Sequence, residues 1–183
     1  MAHIVTIAGS PSATSRSAAM LDYFRRELEH VGHTVHAVSV RDMNADDLIH
    51  GRYDGDSIRA QVAQVERAQG VILATPVYKA SYTGVLKLFL DVLPANALQG
   101  KAALPLVSGA APTHMLVLDY ALKPVVAALG AWSIHPGLYV MDQQFQAAQP
   151  GSAPTFTPEL EEKLKTVCAS FAHLLENVIP SSM

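Results

Sequence analysis

The sequence has a single cysteine in 183 residues, Cys168. One thiol excludes an internal disulfide and any cysteine cage for a metal, so the composition asks for no oxidising compartment, and the cytoplasm is the expected setting. Charge of one sign is scarce as well: 13 Lys and Arg against 16 Asp and Glu leave a formal net charge of −3. A field that weak captures neither nucleic acid nor an acidic membrane surface, and neither is expected as a partner. The N-terminus has no basic region and only a brief apolar run before Gly9, so no signal peptide is read there. The longest uncharged stretch, 124–141, is broken by Gly130, Ser133, His135 and Pro136 and reads as a helix end, a turn and a strand, with no membrane span. Three motifs are also missing. No GxGxxG announces a dinucleotide and no GxxxxGK[ST] a nucleoside triphosphate. No GxSxG elbow supports a hydrolase, since "VSGAAPT" has its residues in the wrong order.

What is present is a chain that is 50% hydrophobic and long enough for one full core, so one domain over 1–183 is expected. Short β-rich runs alternate with helical spacing. Strands are expected at 3–8, 34–40, 70–75, 102–107 and 132–140, and helices near 15–30, 57–68, 83–93, 113–129 and 158–177. A helix after each strand implies right-handed crossovers and an α/β fold: a five-stranded parallel sheet with helices on both faces. The polar stretches 41–56 and 142–157 are expected to be surface loops.

In such a sheet, ligands bind outside the carboxyl ends of the strands, where the winding reverses. The loops to search are "GSPSATSRS", "PVYKASYTG" and "SGAAPTH". The first suits an anion. Ser10, Thr14, Ser15 and Ser17 offer hydroxyls, Arg16 offers charge, and the following helix offers free N–H groups at its positive end. A phosphate monoester fits; a plain helix cap at Thr14 or Ser15 with a solvated Arg16 is the alternative. The second loop presents Tyr78, Lys79 and Tyr82 beside extended backbone, which can line a flat heterocycle.

Together, "GSPSATSRS", "ATPVYKASYTGVLKLFLDVLP" and "HMLVLDYALKPV" make the chain resemble the NAD(P)H-dependent FMN reductases of flavodoxin-like fold, in the branch that supplies reduced FMN to alkanesulfonate monooxygenases. The resemblance implies strand order 2-1-3-4-5, FMN as flavin, and NADPH or NADH as donor. It places Ser10, Ser15, Arg16 and Ser17 on the phosphate. Pro76, Val77, Tyr78 and Lys79 would line ribityl and ring, and Ser108, Gly109 and Ala110 would lie at the pyrimidine end. Where the family usually has a second glycine this chain has Ala110, which is costly if the position needs a positive φ. No catalytic side chain is expected, because hydride passes from nicotinamide to flavin and the protein supplies position and electrostatics.

The remaining candidates read as structure. His30, His33 and His36 lack the geometry of a metal site, and none is expected. Cys168 shares a helical stripe with Leu164, Phe171 and Leu175 and reads as core. Asp46 and Asp47 read as solvated, and His114 reads either as a contact to flavin or nicotinamide or as a capping or packing residue. Pro124 lies inside the fourth helix and denies the Tyr120 carbonyl its usual partner. A kink or a single-turn π-bulge repairs this, and the resemblance implies the bulge. Apolar residues nearly all round the helices at 83–93 and 113–129 call for a partner subunit, and the resemblance implies a homo-oligomer, dimer or tetramer, through them. The resemblance also implies a partner monooxygenase for the reduced flavin. A quinone, azo or metal-ion reductase that keeps its FMN is the runner-up, and an electron-carrying flavodoxin is the weaker alternative.

Overall fold

The computed structural model describes residues 1–146 and 152–178. Its main sheet is built on β1 (His3–Ala8), β2 (Thr34–Ser39), β3 (Gly70–Tyr78) and β5 (Ala102–Gly109), with a short β4 (Ser81–Tyr82) folded back on the end of β3. A fifth strand position is shared by β6 (Ser133–Ile134) and β7 (Leu138–Met141), both parallel to β5. The order β2-β1-β3-β5 followed by these two segments is the flavodoxin-like order 2-1-3-4-5 expected above. The stretch 132–140 is thus two strands and not one. Pro136 has no N–H for the ladder, and Gly137, at φ +86°, brings the backbone so close that a Cβ would meet the Pro105 carbonyl oxygen at 2.6 Å.

Side chains alternate across the sheet and divide the core in two. Val5, Ile7, Val71, Leu73, Ala103 and Val107 face one helical layer, made by α3 (Asp56–Arg67), α4 (Gly84–Val92) and α5 (Lys123–Ala128). Ile4, Ile72, Ala74, Leu104 and Leu106 face the other, made by α1 (Arg16–His30) and α6 (Pro158–Val178). Cys168 lies in this second layer with Leu164, Phe171 and Leu175, and burial pushes its thiol up to about 11.

Two expected loops contain structure. Within 41–56, Asn44 caps α2 (Ala45–Ile49) by accepting from the Asp46 and Asp47 N–H groups. Asp46 is also paired, at 2.6 Å, with Arg52, so these carboxylates are not simply solvated. Within 142–157, a 3-10 turn at Asp142–Gln144 leads into the antiparallel pair β8 (Phe145–Gln146) and β9 (Thr155–Phe156). The rest of that expected loop, 147–151, lies outside the described residues.

The expected helix 113–129 is composite. It opens with a 3-10 turn, Pro112–Met115, passes through a π-helix, Leu118–Leu122, and ends as α5. The Lys123 N–H donates to the Leu118 carbonyl, five residues back, immediately before Pro124. The bulge expected around Tyr120 is present, beside the proline that interrupts the regular ladder.

Candidate functional site

The site begins where β1 stops. Gly9 donates its N–H to the Ala74 carbonyl at 2.9 Å and then leaves the sheet. A Cβ on Gly9 would lie 2.6 Å from Leu86 Cβ, so only glycine lets the strand end pack on the start of α4. Thr83 caps that helix, accepting from Leu86 N–H at 3.1 Å, donates its hydroxyl to the Gly9 carbonyl, and sends its own N–H to Thr75 Oγ1 at 3.1 Å. One buried residue, through its side chain and its own N–H, thereby ties β1, β3 and the N-terminus of α4 together.

Past Gly9, Ser15 is the N-cap of α1 and accepts from Ala18 N–H at 3.1 Å. This is the capping role weighed above, and the serine's O–H remains a donor. The first helical N–H groups lack intrahelical partners by geometry. Ser17, in the first turn, is wholly buried, and among the described residues its Oγ has no hydrogen-bond partner. A buried hydroxyl without a partner costs about 1–3 kcal/mol, so its place here asks for a ligand. Arg16 is not free in solvent: Asp142 lies 3.4 Å from it, and its guanidinium sits 5.7 Å from the Phe145 ring centre.

β3 runs past its expected end at 75 as far as Tyr78. Ala74 turns its carbonyl to β1, so Pro76, two residues on, turns the same way after β1 has ended; the missing N–H costs no ladder bond and leaves the edge open. Lys79 and Ala80 make the reversal into β4 at φ 50° and 62°. Lys79 is exposed and is not among the residues that line the cavity.

β5 ends at Ser108 and Gly109, level with Pro76 and Met141 of its neighbours. A Cβ on Gly109 would lie 2.9 Å from Tyr139 Oη and 3.0 Å from His114 Nδ1. The glycine therefore keeps a polar notch open. Tyr139 donates to the Ala111 carbonyl at 2.6 Å, while burial and Asp142 raise its pKa. His114 Nδ1 is buried with no partner among the described residues. Ala110 is absent from the positive-φ positions, so alanine there carries no backbone strain.

The three loops meet in one cavity of about 670 Å³. Ser10, Ser15 and Arg16 of the first loop, Pro76, Val77 and Tyr78 of the second, and Ser108, Gly109 and Ala110 of the third all line it. Ser17, wholly buried, and Lys79 are not among the residues that line it. Sequence reasoning missed Asp142 and Phe145, which also line the cavity. They follow the fifth strand, and the carboxyl-end rule extends to that strand too. Among the described residues no three His, Cys, Asp or Glu side chains gather as metal ligands, and His36 bonds Gln61 at 2.9 Å. No described helix is long and apolar enough to cross a membrane. The donor set is that of an anion site at one end and a flat, hydrogen-bonding heterocycle at the other.

The profile of the NADPH-dependent FMN reductase family matches residues 2–146. An FMN reductase (NADPH) of Escherichia coli is 41% identical over 92% of this chain and 87% of its own. An NADH-dependent FMN reductase, SfnF, of Pseudomonas putida is 27% identical over 92% of each chain. Among solved structures, the apo form of an NADH:FMN oxidoreductase, EMOB, superposes with a TM-score of 0.86 and 33% identity, covering 100% of this chain and 92% of that one.

Proposed function

The chain belongs to the NADPH-dependent FMN reductase family and is an NAD(P)H-dependent FMN reductase; from that premise we propose that it releases reduced FMN to a separate monooxygenase, one that desulfonates alkanesulfonates for sulfur acquisition. The observation that carries the release is the character of the anion end. Arg16 is 45% exposed and its one ion pair among the described residues is long, so a phosphate there is screened by water and free to leave. The FMN reductases among its relatives favour the same reading.

In this proposal the Ser15 and Ser17 hydroxyls, Ser10, Arg16 and the first N–H groups of α1 hold the phosphate. Pro76, Val77 and Tyr78 flank the ring, and Ser108, Gly109 and Ala110 meet its polar edge. The unpartnered Ser17 Oγ and His114 Nδ1 fit those two ends. Bound FMN supplies the acceptor for the hydride of the nicotinamide. The chain's own residues bind, orient and exclude water, and backbone N–H groups near Gly109 offset charge where it grows. No side chain serves as a base. NADPH is the proposed donor, since the relative named for it is 41% identical, against 33% and 27% for the two named for NADH.

Met115, Leu116 and Tyr120 are exposed on the 3-10 and π segments, and Tyr78 is exposed nearby in sequence to β4. Covering them is the proposed role of a second copy, giving a homo-oligomer through α4 and residues 112–128. The test of function is NAD(P)H oxidation by flavin-stripped protein against free FMN. Saturable dependence on added FMN is expected. Undiminished turnover with a quinone and no added FMN would instead establish a reductase that retains its flavin.

A further inference from the structure

Asp142 begins the turn after β7, at the carboxyl end of the fifth strand, and lines the same cavity as the phosphate loop. Its Oδ2 lies 3.4 Å from Arg16 Nη1, with the two side chains 36% and 45% exposed. Three residues on, the Phe145 ring supports the same guanidinium at 5.7 Å. That platform is fixed. Phe145 is buried against Phe156, which in turn meets Tyr23 of α1 edge-on at 5.8 Å. Arg16 is therefore held in place by an aromatic ring and claimed by a carboxylate.

A carboxylate has the wrong sign to help an anion. Among the described residues its one ion pair is with Arg16, the single arginine of the loop and the first residue of α1. The pair is also too open to be a strong structural tie, since exposed pairs of this kind contribute little to stability. A group that pairs weakly with the arginine when no phosphate is present, and repels the phosphate when one arrives, lowers affinity without touching the flavin ring.

We infer that Asp142 is a built-in competitor for the FMN phosphate. It occupies Arg16 while the site is without flavin, yields to the dianion on binding, and takes Arg16 back as the flavin departs. The affinity of the site is thereby set by one carboxylate outside the reacting centre. This rests on the proposed phosphate role of Arg16 and Ser17. A supporting carboxylate that merely orients Arg16 would act with the opposite sign, because its removal would weaken binding.

The experiment is the dissociation constant of FMN and of riboflavin, by fluorescence quenching, for the parent, Asp142→Asn, Arg16→Ala and the double variant. Asp142→Asn keeps the size and removes the charge, and Asp142→Ser serves as a second neutral variant that must agree in sign. Both neutral variants are expected to bind FMN roughly threefold to tenfold more tightly at ~50 mM salt, with less gain at ~500 mM. Riboflavin is expected to bind unchanged, and the gain for FMN to be smaller on the Arg16→Ala background. Unchanged or weaker FMN binding by the neutral variants overturns the inference, as does an equal gain for riboflavin. If Arg16→Ala weakens FMN and riboflavin alike, the phosphate assignment itself falls. If it weakens FMN selectively while the Asp142 variants do nothing, only the competitor falls.

Discussion

Thr83 donates its hydroxyl hydrogen to the carbonyl of Gly9, joining two buried residues 74 positions apart at the point where the first strand leaves the sheet. The same oxygen caps α4 through Leu86 N–H. Thr83→Val keeps the shape and strands both groups, so a loss of about 2–4 kcal/mol is expected in urea unfolding. Thr83→Ser should retain most of the stability. A loss below ~1 kcal/mol for valine would show that the strand end is fixed by packing alone.

Ser17→Ala should separate binding from stability. Because Ser17 Oγ is buried with no partner among the described residues, the flavin-free variant should unfold no earlier than the parent. FMN binding should weaken by about 1.5–3 kcal/mol, roughly tenfold to a hundredfold, as expected for one charge-assisted hydrogen bond. Riboflavin should be almost indifferent. Parallel titrations of the two flavins check this, and equal losses would remove Ser17 from the phosphate.

Tyr120 is 79% exposed on the π-helix, so it contributes little to its own subunit's core. Tyr120→Ala should leave the fold intact, with a stability change within about 0.5 kcal/mol. If strain in this segment is relieved through the neighbouring copy and coupled to how flavin is held, the variant should purify with FMN bound. Its steady-state oxidation of NAD(P)H with free FMN should fall steeply, while single-turnover reduction survives. A flavin-free variant with parental turnover would make Tyr120 a surface residue only.

Two histidines make stability depend on pH. His135 Nδ1 accepts from Gly137 N–H at 2.9 Å, which places its own proton on Nε2, 3.1 Å from Ser170 Oγ. His33 Nδ1 likewise accepts from Ala2 N–H at 3.1 Å. Burial is the first cause holding both below the ordinary 6.5, with positive charge from Lys123 and the N-terminus adding to it. The unfolded chain then binds the extra protons, so their contribution is complete above 6.5 and is lost as pH falls toward the depressed folded values. The urea midpoint should drop between pH ~7.5 and ~5.5, and less so in His135→Gln. A flat or rising midpoint in the parent would contradict this.

Much of this was legible in the residues because the signals are local. Continuous apolar runs at Val5–Ala8 and Val71–Thr75 mark doubly buried strands, and Pro124 inside a helical pattern marks the segment that becomes a π-helix. Boundaries failed where tertiary contact decides. β3 continues through Pro76 because its neighbour β1 has ended, and the fifth strand divides because Gly137 packs on the Pro105 carbonyl. The loops after the first, third and fourth strands carried the candidate site residues in their own sequence. Asp142 did not stand out, since an aspartate in a polar stretch acquires meaning only from Arg16, brought beside it by the sheet. Lys79 shows the converse, a basic residue in a site loop that is exposed and does not line the cavity.

The measurement that bears most directly on flavin release is the partition of reduced flavin. Protein mixed with equimolar FMN at ~1 μM would be reduced anaerobically by NADPH and passed through an ultrafiltration membrane, and the flavin in the filtrate quantified after reoxidation. The account predicts that most of the flavin passes through and that the retained protein is colourless. Reduced flavin that stays with the protein in stoichiometric amount would contradict it and identify an enzyme that completes its cycle without letting FMN go.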